Sequence, residues 1–253
     1  MLHLYHAEPM ANSLKSLLAI HEKGVPFESH FVNLHEFQQH EPWYVRINAN
    51  GQVPALVHDD KVITESTVIN EYLDSVFEGP RLRPADPYWR ARMRIWTKFV
   101  DEYFCPALSF IGWHHMIHNI TDKLTPEEFE AKLARIPLKE QRDKWRTSAK
   151  QGYTKEQLDE WGRQVRVSVM RMEQQLSETP WLAGADFSLA DVSAYAMCVI
   201  MPQRMPFLMN AKDTPRALDW HQRMSARPGT KAALAMPNPV RDTLEAASRS
   251  MKA

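Results

Sequence analysis

The stretch NGQVPALVHDDKVITES, residues 50–66, decides the fold. It reads as a loop ending in Val53-Pro54, a strand over Ala55–His58, a turn at Asp59-Asp60, a second strand over Lys61–Thr64, and a Glu65-Ser66 pair that opens a helix. A proline at a strand entrance is a good place for a cis peptide, because X-Pro bonds lose most of the trans preference. A bend there leaves the Val53 backbone N–H and C=O free of the sheet, so an extended peptide can add to them as a short strand. Glu65 and Ser66 stand at a helix N-terminus, where exposed N–H groups and the dipole favour an α-carboxylate. Glu65 can also accept hydrogen bonds from an α-amino group. A strand-like contact beside a pocket for a free amino acid end suits glutathione. Taken alone, the same residues are an ordinary β-hairpin running into an ordinary helix cap. The elements on either side give them a use.

Upstream, residues 2–5 read as a strand. Residues 12–23 read as a helix with Leu14, Leu17, Leu18 and Ile20 inward and Gly24 as its stop. Residues 27–32 form a second strand, parallel to the first by the usual crossover rule, and residues 36–47 are a looser lead into the loop. Downstream, residues 65–77 carry Val68, Ile69, Tyr72, Leu73 and Val76 on one side of a helix. The order is β-α-β-α-β-β-α, the thioredoxin-like arrangement. Residues 78–87 hold three prolines in ten and read as a linker. Everything beyond is helical in pattern: residues 88 to about 118, 155–177, 189–201, 215–226 and 229–235, with short helices and loop over 119–153. Ser188 and Asp191 predict a capping box for the 189–201 helix. The fold class expected is an α/β thioredoxin-like N-terminal domain, residues 1–80, followed by an all-α C-terminal domain, residues 88–245.

Bulk composition narrows the function. The 253 residues are 44% hydrophobic and 25% charged, with only 8 glycines, so disorder and fibres are excluded. Lys plus Arg equals Asp plus Glu at 31 each, so no overall field recruits nucleic acid or an anionic membrane. The two cysteines, Cys105 and Cys198, form neither a CxxC nor a metal pattern, which predicts a reducing, cytoplasmic setting. No signal sequence or membrane-spanning run is read. His114 and His118 lie i, i+4 but lack a third ligand, so no metal is expected.

The strand-helix order, the QVPA loop, the ES helix start and the all-helical second half together resemble the glutathione transferase family, over nearly the whole chain. Residues 11–28, 47–77 and 82–104, with the KWR of residues 144–146, are further similar to the bacterial β-etherases of lignin breakdown. That resemblance implies glutathione as co-substrate and thiolate displacement at the β-carbon of a ketone-bearing β-aryl ether. It also implies a homodimer or a mixed dimer with a related chain. The family places Ser, Tyr or Cys beside the thiol, a role carried onto Ser13 with Asn12 as co-donor. Gln52, Val53 and Pro54 then hold the peptide backbone, Glu65 and Ser66 the γ-glutamyl end, and His40 the glycyl carboxylate. Pro9, Met10, Tyr103, Phe110 and Trp113 are the expected substrate-pocket residues. Glu8 and Met10 stand where small glycines would be expected beside Pro9. A general transferase or peroxidase, or a non-catalytic subunit, is the alternative.

Overall fold

The first strand, β1 (Leu2–His6), alternates buried and half-buried side chains, as a strand with one face under a helix should. The computed structural model describes residues 1–240; the last five residues of the expected 88–245 domain, 241–245, lie outside the described residues. Helix α1 (Ala11–Lys23) buries Leu14, Leu17, Leu18 and Ile20 and ends on Gly24, whose φ of 67° is the left-handed value a C-terminal stop requires. Strand β2 (Glu28–Phe31) runs parallel to β1, with His3 beside Glu28 and Tyr5 beside His30. The expected looser segment contains two 3-10 turns, Leu34–Glu36 and Gln38–His40, and the short helix α2 (Pro42–Val45).

The hairpin forms where the sequence places it, as β3 (Ala55–His58) and β4 (Lys61–Thr64), and the sheet order is β2-β1-β3-β4. Helix α3 (Ser66–Val76) follows directly. One face of the sheet packs on α1 and α3. The other carries a small apolar cluster of Val32, Tyr44 and Ala55 under α2.

In the second half, α4 (Pro87–Phe99) is capped by the Asp86 carboxylate and passes through a π-helical segment, Val100–Phe104, into α5 (Cys105–Met116). The single long helix expected here is therefore continuous but carries one widened turn, a feature common at functional sites. Helices α6 (His118–Thr121), α7 (Pro126–Ala134) and α8 (Lys139–Lys150) fill the stretch expected as short helices and loop. Then come α9 (Lys155–Gln175), α10 (Leu189–Cys198), α11 (Met201–Arg204), α12 (Pro215–Ala226) and α13 (Pro228–Leu234).

The Ser188–Asp191 capping box is present and fully buried. Asp191 also accepts from Leu182 N–H at 3.0 Å and Trp220 Nε1–H at 2.9 Å, and burial pushes its carboxyl up to about 6 despite these donors. The two halves share one core, which runs from Leu4, Leu17 and Leu56 through Trp96 to Ala194 and Trp220. Polar ties reinforce the seam. Arg227 grips Glu22 with two bonds of 2.9 and 2.6 Å, and Leu189 N–H donates to Leu82 C=O at 2.8 Å. Among the described residues no helix is long and apolar enough to cross a membrane.

Candidate active site

The N-terminus of α1 opens toward the helical half. Met10 is its extended N-cap and offers no side-chain bond to the first turn, so the first-turn N–H groups keep their capacity for an incoming anion. Ala11 has a φ of 47°, an uncommon conformation for a residue with a Cβ and the kind of strain that gathers at ligand sites. Ser13 is buried, and its hydroxyl accepts from Ala7 N–H at 3.0 Å, stapling the end of β1 to the helix. Asn12 is more exposed, and its Oδ1 accepts from the Cys105 thiol on α5 at 3.7 Å. Met10 is exposed beside it, whereas Pro9 is buried beneath.

The 50–66 stretch forms the neighbouring wall. The Val53–Pro54 bond is cis. Sheet pairing begins only at Ala55, opposite Tyr5, so Val53 lies just outside the ladder. The Gln52 carbonyl is held from behind by Tyr44 Oη at 2.6 Å and Asn48 Nδ2 at 2.7 Å, which fixes the loop without using the Val53 backbone. Gly51, at φ 61°, runs so close to His40 that a Cβ there would lie 2.6 Å from Nδ1; only glycine fits. His40 is not a solvated surface histidine. It is buried, burial drops its pKa to about 4, and Nδ1 has no hydrogen-bond partner among the described residues. Glu65, with φ 67° and ψ 113°, is exposed at the start of α3, and Ser66 is buried at the first helical position.

The facing wall comes from α5 and α8. Cys105, Ser109 and Trp113 recur four residues apart along α5 and share a side. Burial pushes the Cys105 thiol up, and the same thiol feels the charges of Lys15, Asp101 and Lys144. Lys144 reaches in from α8: its Nζ donates to Ser109 Oγ at 2.7 Å and stands 4.8 Å from the Phe110 ring centre and 5.5 Å from that of Trp113. Among the described residues no carboxylate pairs with it, and burial lowers its pKa to about 8. The rings around it are interlocked: Phe110 stacks on Trp161 at 4.5 Å and meets Tyr153 edge-on at 5.6 Å, and Trp113 packs against Trp145 at 4.3 Å. Trp145 in turn lies 4.4 Å from Phe37, so α8 docks directly on the first half of the chain. A shallow groove of about 610 Å³ on the outer face of α9 contains none of these residues.

Residues 1–75 match the glutathione S-transferase N-terminal domain, and residues 105–228 match the glutathione S-transferase C-terminal domain. The chain belongs to the glutathione S-transferase family. This transferase is 48% identical over 236 residues to the protein LigF of Sphingobium sp. strain SYK-6, covering 91% of each chain. The crystal structure of β-etherase LigF from that strain superposes with a TM-score of 0.90 at 45% identity, covering 93% of this chain and 99% of that one. Glutathione S-transferase 3 of Zea mays is 26% identical over 94% of this chain and 96% of its own. Glutathione transferase F7 of Populus trichocarpa shares the fold, with a TM-score of 0.71 at 24% identity over 92% and 97% of the two chains.

The transferase brings some of the expected residues together. Asn12 and Met10 stand on one wall, with Phe110 and Trp113 flanking Lys144 on the other. Tyr103 is turned elsewhere: it stacks on Phe99 at 5.3 Å, and Phe99 in turn lies under the Arg171 guanidinium of α9. Four residues of the site carried no role in the sequence reading: Tyr44, Asn48, Cys105 and Lys144. For Lys144 a signal existed, since it lies one residue before buried Trp145 and four before buried Ser148, on the inner face of an otherwise highly charged helix.

Proposed function

We propose that this transferase uses glutathione to cleave β-aryl ethers that carry an adjacent ketone, releasing a phenol and forming a glutathione thioether. The observation that carries this reading is the likeness to β-etherase LigF along nearly the whole chain. In this reading the peptide lies along Val53 and Pro54 beside the pinned Gln52 carbonyl, its γ-glutamyl end at Glu65 and Ser66. The resemblance puts the glycyl carboxylate at His40, which burial keeps neutral, so the contact is a neutral N–H to a carboxylate.

A free thiol has a pKa of ~8.5, and lowering it by ~2 units takes about 2.7 kcal/mol of thiolate stabilisation. The first-turn N–H groups of α1, the Ser13 hydroxyl, which accepts from Ala7 N–H and keeps its own proton to donate, and the Asn12 amide as co-donor supply it. The thiolate sulfur bonds to the β-carbon as the C–O bond breaks, and the electron pair leaves on the aryl oxygen. The α-ketone activates that carbon. Lys144 stands across the cleft among the rings, where its ammonium can accept the charge developing on the phenolate and donate the proton that makes the phenol.

Phenol release from a ketone-bearing β-aryl ether, with and without glutathione, tests the reaction. Glutathione-dependent release is expected. Turnover of a chlorinated aromatic alone would return the general transferase reading. Glutathione binding without turnover of either substrate would return the subunit reading.

The same proposal includes a homodimer. Val62 on β4, Val68 on α3 and Ile95 on α4 are exposed apolar residues on adjoining elements, an arrangement suited to a second copy or a related chain. Light scattering gives the mass that decides it. The domain division at 80–88 and a cytoplasmic setting complete the proposal, the latter supported by free Cys105 and Cys198.

A further inference from the structure

Three ligand-type side chains outside the cleft walls converge on the sheet face away from α1. Parallel pairing sets His3 beside Glu28 and Tyr5 beside His30, and side chains two apart on a strand point the same way. His3, Tyr5, Glu28 and His30 therefore share one face of adjacent strands, at the edge of the sheet. His3 Nδ1 and His30 Nε2 are 3.0 Å apart. The Glu28 carboxylate straddles them, with one oxygen 3.3 Å from His3 and the other 3.4 Å from His30.

These separations carry the argument. A tetrahedral Zn²⁺ with bonds of roughly 2.0–2.1 Å to nitrogen and oxygen has ligand atoms roughly 3.3 Å apart. With one Glu28 oxygen serving both histidines, the three donor atoms lie within 4.8 Å of one another, so a small rotation of the exposed Glu28 side chain brings them to that size. Its donors, two imidazoles and one carboxylate, are the set that suits zinc and its first-row neighbours, not magnesium or calcium. The His30 ring is held flat against Tyr5, 4.4 Å between centres and 13° between planes, so one ligand is oriented by a contact beyond the triangle. All three side chains reach solvent, at 26%, 53% and 30% exposure, so a cation can enter and a water can complete the fourth position.

We infer that His3, Glu28 and His30 form a binding site for one divalent transition cation of the zinc class, clamping edge strand β2 to β1. Sequence spacing hides the site, because residue 3 lies 25 positions before residue 28 and only the parallel register joins them. The histidines that spacing does single out fare worse. His118 has Asp122 at 3.4 Å, His114 lies against His115, and no third ligand joins them among the described residues.

The test is a Co²⁺ titration of tag-free protein, followed by visible absorption, with Zn²⁺ as competitor. One equivalent of Co²⁺ should give a tetrahedral spectrum that Zn²⁺ abolishes, and Zn²⁺ should raise the melting temperature. His3→Ala, His30→Ala and Glu28→Gln should each weaken binding at least about tenfold and remove the melting shift. The control His114→Ala/His118→Ala should keep both. Glutathione-dependent turnover, unchanged in His3→Ala, shows that the variant is folded. The proposal is overturned if His3→Ala/His30→Ala binds as tightly as the parent, or if the spectrum disappears with the His114→Ala/His118→Ala control.

Discussion

Two lysines are drawn out of solvent near the cleft, and their partners differ. Lys15 on α1 is fully buried at the seam between the halves, where its Nζ meets the Asp101 carboxylate at 2.5 Å. Asp101 also accepts from Thr67 Oγ1 at 2.6 Å, so the π-helical turn ties α4–α5 to both α1 and α3. Lys144 has a serine hydroxyl and two aromatic faces instead of a carboxylate. A cation with a counter-ion holds a structure together. A cation kept without one, at a cost in stability, is suited to a charge that appears only during a reaction. The seam lysine is therefore read as architecture and the cleft lysine as chemistry.

Breaking the comparison at Lys144 should have the largest effect. Lys144→Met is expected to lower turnover of a β-aryl ether about 100-fold, the low end of what a positioned acid contributes, because phenolate is already a fair leaving group. Stability should move the opposite way. Burial holds the folded-state pKa near 8 against 10.5 for an ordinary lysine, so below pH 8 folding keeps a cation that the unfolded chain solvates better. That cost is full below about pH 8, fades as pH rises toward 10.5, and is absent above it. Removing the cation should raise the unfolding free energy by about 3 kcal/mol at pH 7, with no gain above pH 10.5, as read by urea titration.

The architectural side predicts the converse, stability lost with chemistry spared. Asp191→Ala leaves buried donors on Leu182, Ser188 and Trp220 unmatched and should cost about 3 kcal/mol. Lys15→Met should cost about 2 kcal/mol, below the usual figure for a broken buried pair because Asp101 keeps access to water; its turnover should stay within about threefold of the parent at a temperature where both are folded.

The smallest effects separate the two candidates on α1. Asn12→Ala should raise the pKa of bound glutathione by about half a unit, seen as a shift in thiolate absorbance. Ser13→Ala should raise that pKa at least as much, since a hydroxyl that accepts from Ala7 N–H keeps its own proton to donate, and should in addition cost about 1 kcal/mol of stability.

Legibility followed the range of the interactions. The hairpin, Gly24, the cis Val53–Pro54 bond and the Ser188–Asp191 box are local, set by residues within a few positions of one another, and all were readable. The QVP loop was readable, but the Tyr44 and Asn48 donors that hold the Gln52 carbonyl were not, because side-chain reach depends on how α2 packs. Aromatic spacing along residues 88–118 could not tell Tyr103, turned toward Phe99, from Trp113, which flanks Lys144; the π-helical turn at 100–104 alters the phase between them. Lys144 itself depends on α8 folding back over α5, a contact 35 residues long in sequence.

The most direct test is the dependence of turnover on the phenol released. A series of β-aryl ether ketones differing only in leaving-phenol acidity should be compared between the parent and Lys144→Met at pH 7. If Lys144 meets the departing oxygen, the parent will be nearly insensitive to phenol pKa, and the variant will fall steeply as the phenol becomes less acidic. Parallel dependences, with the variant lower by a constant factor, would contradict that role and leave Lys144 as a packing residue of the aromatic wall.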